Sequence, residues 1–168
     1  MLKILYNLGP FIEDCYRELG VREYSRITNI TAPTSSERLK QFESEGLLKK
    51  KSDRGYLLFR ANRNSKILLD LSRAYWREKL KKLIEHLDSI FHNPTIILFG
   101  SLAKLEAKKD SDIDLAILTK SDKKTDLSKY EKQYKREVQL FKFDSLGKIN
   151  KELKKNIING YIVQGELK

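Results

Sequence analysis

At 168 residues the chain has room for one large or two small domains, and 34 Lys and Arg against 23 Asp and Glu leave a net charge of +11. That balance favours a polyanionic partner, nucleic acid above all, although a lysine-rich surface can also serve solubility alone. Cys15 is the single cysteine, which excludes an intrachain disulfide, and neither a signal-peptide pattern nor an apolar run near the ~20 residues of a membrane span is present, so the sequence reads as cytoplasmic with no membrane partner. The basic excess is spread over the chain, with net +4 over residues 1–64, +2 over 65–92 and +5 over 93–168.

The first 64 residues have their own plan. Ile4 to Leu19 predicts a helical stretch, starting at Ile4 or only after Pro10, with Phe11, Ile12, Cys15, Tyr16 and Leu19 on one face and Gly20 as its end. Val21 to Asn29 is a short amphipathic segment. Pro33 suits a helix start and Thr31 can cap it, which predicts a helix over 33–45 with Leu39 and Phe42 inward and Gly46 as terminator. Residues 47–51 and 55–60 then read as two strands of a hairpin turning at Ser52-Asp53-Arg54-Gly55. Three short helices followed by a basic hairpin resemble the winged helix-turn-helix. The resemblance implies that Thr34, Ser35 and Arg38 face double-stranded DNA from the recognition helix, while Lys49, Lys50, Lys51 and Arg54 approach phosphates from the wing. A winged helix used only for dimerisation or protein contact is the alternative, favoured by Glu37, Glu43 and Glu45 on the same helix.

Residues 65–92 carry Leu68, Leu71, Tyr75, Leu80, Leu83, Ile84, Leu87 and Phe91 at helical spacing, with Trp76 near the seam. They predict one long connecting helix, about 40 Å if unbroken, through which a homodimer is an open option. His86 and His92 match no common metal spacing.

The densest chemistry follows. Thr95 to Phe99 is an apolar run ending at Gly100-Ser101, and Asp112-Ile113-Asp114 opens a second apolar run to Leu118. The order is strand, Gly-Ser turn, short helix over 102–107, polar turn, strand. A helix opening after Gly100-Ser101 directs free backbone N–H groups above the turn, and glycine permits close approach of a phosphate. Asp112 and Asp114, two apart on a strand, leave the same face. Two neighbouring carboxylates repel unless a cation lies between them, and hard oxygen ligands of this kind suit Mg²⁺ with substrate phosphates.

Phe-Gly-Ser, a gap of ten residues and Asp-Ile-Asp before an apolar strand resemble the DNA polymerase beta-like nucleotidyltransferase superfamily, in particular its minimal branch, from about Asn93 to Gly165. The resemblance implies a Mg²⁺ site on Asp112 and Asp114 and an NTP, ATP foremost, held by Gly100, Ser101 and Lys104. It further implies nucleotide transfer to a hydroxyl, including one on a toxin-like partner protein in antitoxin fashion. A third carboxylate on a neighbouring strand completes the site in the superfamily. Here the strand predicted over 137–143 places Gln139 at that position, and Gln cannot act as a base. Glu137, two residues earlier on the same face, is the candidate substitute among the catalytic residues. Helices over 126–136 and 146–157 and a short apolar element at 161–163 complete a small mixed sheet with helices on one side. The predicted class is thus α+β, with a winged helix-turn-helix domain (1–64), a connecting helix (65–92) and a nucleotidyltransferase domain (93–168). Two functions follow from it: a Mg²⁺-dependent nucleotidyltransferase, or a catalytically degenerate DNA-binding regulator that uses the same domain to sense a nucleotide or bind a partner.

Overall fold

The computed structural model describes residues 2–167. The chain forms two compact units, one running to Tyr75 and including Leu105–Lys109, the other comprising Trp76–Lys104 and the chain from Asp110 onward. Among the described residues no helix is long and apolar enough to cross a membrane.

In the first unit, α1 (Lys3–Glu13) buries Leu5, Leu8, Phe11 and Ile12 and carries Pro10 within it. The predicted continuation of this helix to Leu19 does not form. The Asp14 backbone is extended, its carboxylate accepts from the Tyr16 N–H at 3.1 Å, and the Cys15 N–H donates to the Ala107 carbonyl at 2.8 Å. Leu19–Gly20 instead forms β1, antiparallel to β3 (Tyr56–Ala61), with Leu19 opposite Phe59. Tyr16, placed inward by helical spacing, is exposed, and Arg63 lies over its ring at 4.2 Å. Helix α2 (Val21–Thr28) ends where Asn29 turns left-handed. Helix α3 (Ala32–Ser44) starts as expected: Thr31 caps it, Thr34 N donating to Thr31 Oγ1 at 3.4 Å, and Leu39 and Phe42 are buried. Gly46 leaves the helix at φ +72°. Strand β2 (Leu48–Asp53) pairs antiparallel with β3 in a sheet of order β1-β3-β2. Arg54 and Gly55, both at positive φ, form the two-residue turn between them, the type whose twist matches that of the strands.

Helix α4 (Lys66–Lys79) opens on Ser65, whose Oγ accepts from Leu68 N at 3.3 Å. The long connecting helix expected from the Leu periodicity is interrupted at Leu80, where ψ rises to 3°, and α5 (Lys81–Phe91) begins there. The backbone bonds Leu80 N to Trp76 O (2.8 Å) and Ile84 N to Leu80 O (3.0 Å) persist across the break.

In the second unit, β4 (Thr95–Phe99), β5 (Ile113–Leu118), β6 (Val138–Phe143) and β7 (Tyr161–Gln164) form a mixed sheet of order β6-β5-β4-β7. β4 is antiparallel to β5 and β7, whereas β5 and β6 are parallel. A parallel pair needs a crossover, and α7 (Ser128–Tyr134) supplies it. Between β4 and β5 lies the single turn α6 (Gly100–Ala103), shorter and earlier than the helix expected over 102–107. The predicted final helix splits into a 3₁₀ turn at Leu146–Lys148 and α8 (Lys151–Ile158), because Asn150 Oδ1 accepts from Leu153 N at 2.9 Å and caps a new start. Residues Ile97, Phe99 and Ala116 pack with Ile149 and Ile157 under α8, while Ile96, Leu98, Leu115 and Ile117 on the opposite face are also fully buried. The sheet is therefore covered on both faces rather than one, with α5 against β7 and ring contact between His86 and Tyr130 (5.2 Å) joining α5 to α7.

Candidate active site

The site grows from the ends of two antiparallel strands. Phe99, the last residue of β4, pairs with Asp114 of β5, so the residue after Phe99 falls beside the Asp114 side chain. That residue is Gly100, at φ +70°, and a Cβ there would lie 2.0 Å from Asp114 Oδ2. Two independent constraints therefore require glycine: the left-handed backbone and the carboxylate packed against it. Ser101 follows, half-buried, in α6. The first N–H groups of a helical turn have no intrahelical acceptor.

Asp112 sits one residue before β5 begins, and the period of two puts it on the face of Asp114. Burial, and after it the charge of Asp112, raises the Asp114 carboxyl from 3.8 to about 6. Such a pair gains most from a cation shared between the carboxylates. Across the parallel pair Gln139 lies level with Asp114, and its Nε2 donates to Asp112 Oδ2 at 2.8 Å. Glu137 lies just ahead of β6 with its side chain exposed, and its carbonyl accepts from Ile113 N at 2.8 Å. Among the described residues no group of three or more His, Cys, Asp and Glu is placed to hold a metal ion, so Glu137 does not join Asp112 and Asp114 in one cluster. Two carboxylates completed by phosphate oxygens still match the ordinary manner of Mg²⁺ binding.

Lys104 is exposed, and its Nζ donates to Asn156 Oδ1 of α8 at 3.0 Å. The sequence alone does not single out one buried cation: Arg136, 7% exposed, donates to the Ser111 carbonyl, immediately before Asp112. Its only signal in the sequence is a charge next to a strand start, which is not distinctive.

The family model described as polymerase beta, nucleotidyltransferase, matches residues 78–166, more than half of the chain. The chain belongs to this family. The match covers Gly100-Ser101, Asp112, Asp114, Gln139 and Arg136 together, so the turn and the carboxylate pair described above sit within the nucleotidyltransferase domain. A search among curated proteins gives no match.

Of the residues assigned to DNA in the first unit, Thr34 is exposed, with its hydroxyl 2.9 Å from that of Thr31, and Lys49, Lys50, Lys51 and Arg54 are exposed on β2 and its turn. Lys50 pairs with Glu43 (3.3 Å) and Lys51 with Glu18 (3.6 Å). Arg38 is half-buried and donates to Asn7 Oδ1 at 3.0 Å. Ser35 is fully buried. It precedes Leu39 by four residues and Phe42 by seven, which puts it on their inward face, so it does not present its side chain at the surface.

Proposed function

We propose that this chain binds an NTP together with Mg²⁺ at the Gly100–Asp114 turn and transfers its nucleotidyl group to a hydroxyl, including one on a partner protein. The observation that carries this reading is the pairing of Phe99 with Asp114, which brings the Gly100-Ser101 turn directly beside the carboxylate pair, with the Asp114 carboxylate against the Gly100 backbone, so that a phosphate on the turn and a cation on the carboxylates would be neighbours. In this reading the N–H groups and hydroxyl at Gly100-Ser101 hold the triphosphate, and Asp112 and Asp114 hold the cation. Mg²⁺ would neutralise charge on the phosphoryl oxygens as the reaction proceeds. The acceptor oxygen forms a bond to the α-phosphorus, the bond from that phosphorus to the bridging oxygen of the β-phosphate breaks, and pyrophosphate leaves. Gln139 cannot take the acceptor's proton, which departs to solvent. Positioning and charge stabilisation contribute most of the acceleration in such a transfer, and a missing base costs roughly 10²–10⁴-fold.

A second reading has its own observation. The amide of Gln139 engages Asp112 Oδ2 where a third acid would otherwise help hold a cation. That arrangement favours a regulator that binds Mg²⁺-NTP without turning it over. In either case we assign the first unit to duplex DNA as a winged helix. Its order of α1-β1-α2-α3-β2-β3 and the exposed Lys49, Lys50, Lys51 and Arg54 support this.

The test is transfer of α-labelled ATP to protein in cell lysate, with Mg²⁺, by wild type, the double variant Asp112→Asn/Asp114→Asn, and Gln139→Asp. The transferase reading expects slow labelling by wild type, faster labelling by Gln139→Asp and none by the double variant. If neither wild type nor Gln139→Asp labels anything while both bind Mg²⁺-ATP, the regulatory reading replaces it.

A further inference from the structure

Asp112 lies outside β5, so the strand ladder alone does not fix it. Arg136, Glu137 and Gln139 hold the stretch around it instead. Arg136 Nη1 donates to the Ser111 carbonyl. Gln139 Nε2 donates to Asp112 Oδ2 at 2.8 Å. Ile113 N donates to the Glu137 carbonyl at 2.8 Å. The Ile113–Glu137 tie is backbone and follows from the parallel register of β5 and β6. The Gln139 tie is made by a neutral amide, and the Arg136 tie depends on one charged side chain.

That side chain is a cation only 7% exposed. A charge is withdrawn from water at a cost unless hydrogen bonds and a polarisable surface replace the solvent. Arg136 has both: the Ser111 carbonyl and the ring of Trp76, whose centroid lies 5.4 Å from its Cζ. Its backbone is fixed as well. Lys135 turns left-handed at the end of α7, Arg136 N donates to the Glu131 carbonyl at 3.2 Å, and the Glu131 carboxylate accepts from Val138 N at 3.1 Å. A planar guanidinium can lie on a ring and donate in its own plane at once, which an ammonium cannot do.

We propose that Arg136 is a positioning residue for the carboxylate pair: held against Trp76, it fixes the Ser111 carbonyl and thereby the place of Asp112. The proposal rests on the reading of Asp112 and Asp114 as the Mg²⁺-NTP site. It has a built-in reporter, because Trp76 is the only tryptophan of the chain and its ring contacts the side chain that holds the Asp112 segment.

The experiment titrates wild type, Arg136→Lys and Arg136→Gln with Mg²⁺-ATP, following Trp76 emission and, separately, binding heat, with thermal unfolding of each protein recorded alone. Wild type is expected to change its Trp76 emission on saturation. Arg136→Gln is expected to bind about tenfold more weakly, about 1.4 kcal/mol, and to lose the emission change, with Arg136→Lys between the two. A role confined to the fold would lower the melting temperature of the variants and leave the affinity of the folded protein at the wild-type value; that result overturns the proposal. Should neither variant fold, wild type decides alone: binding heat without any change in Trp76 emission also overturns it. Absence of binding heat in wild type is a different failure, since it removes the nucleotide site itself and the positioning role with it.

Discussion

Replacing Asp114 by Asn tests the electrostatics of the site without any ligand. Burial and the neighbouring Asp112 raise the Asp114 carboxyl from 3.8 to about 6. Between about pH 4 and pH 6 the native protein therefore keeps a proton that the unfolded chain has released, and wild type loses stability as pH rises through that window. A displacement of this size corresponds to roughly 3 kcal/mol. Asp114 is only partly withdrawn from solvent, and screening reduces the expected effect to about 1–2 kcal/mol. Asn is nearly isosteric and does not ionise. Asp114→Asn should thus match wild type near pH 4 and exceed it by about 1–2 kcal/mol at pH 7.5, a rise in Tm on the order of 2–8 °C. Urea unfolding followed by circular dichroism at pH 4.0, 5.0, 6.0 and 7.5 measures the difference, and the many other carboxylates cancel between the two proteins. A difference that stays flat with pH, or wild type gaining on the variant as pH rises, would refute the reasoning.

Gly100→Ala should cost at least ~1–2 kcal/mol through its left-handed backbone alone, and its methyl group would displace the Asp114 carboxylate, so calorimetry should find Mg²⁺-ATP binding lost; retained affinity would mean the turn is not the phosphate cradle. If the first unit binds duplex DNA as proposed and each lysine meets one phosphate, Lys50→Ala with Lys51→Ala should flatten the dependence of log affinity on log salt by about 1.8, and an unchanged slope would remove both lysines from the proposed DNA contact. Cys15 is buried and its thiol is raised to about 11 chiefly by that burial. A thiol reagent at pH 7.5 should accordingly modify it only in denaturant, and rapid labelling of the native protein would contradict its placement.

Much of the site is legible in the sequence because its constraints are local. Apolar runs on either side of Gly100-Ser101 and Asp112-Ile113-Asp114 specify two strands, and the alternation within the second specifies which face the carboxylates share. Hairpin chemistry at Arg54-Gly55 and the cap at Thr31 are equally local. What is not legible depends on pairing at a distance. Leu19 continues the apolar spacing of α1, and only its partner Phe59, forty residues on, makes it a strand. The break at Leu80 carries no Pro or Gly to announce it. Coverage of the sheet on both faces is concealed because α5 and α8 lie at opposite ends of the sequence of this unit. Ser35 differs in kind: its spacing from Leu39 and Phe42 already places it inward, and helical phase outweighs the resemblance that put it at the DNA. Arg136 looks like any surface cation until the Ser111 carbonyl and the Trp76 ring are seen around it.

The most direct test of the nucleotide site is the stoichiometric binding of ATP to the purified protein by calorimetry, with and without Mg²⁺, in wild type and in Asp112→Asn/Asp114→Asn. One ATP per chain is expected in wild type, dependent on Mg²⁺, and no binding to the double variant, which should remain folded because removing two repelling charges does not destabilise the strand. Equal, Mg²⁺-independent binding of ATP to both proteins would contradict the assignment of Asp112 and Asp114 to the cation.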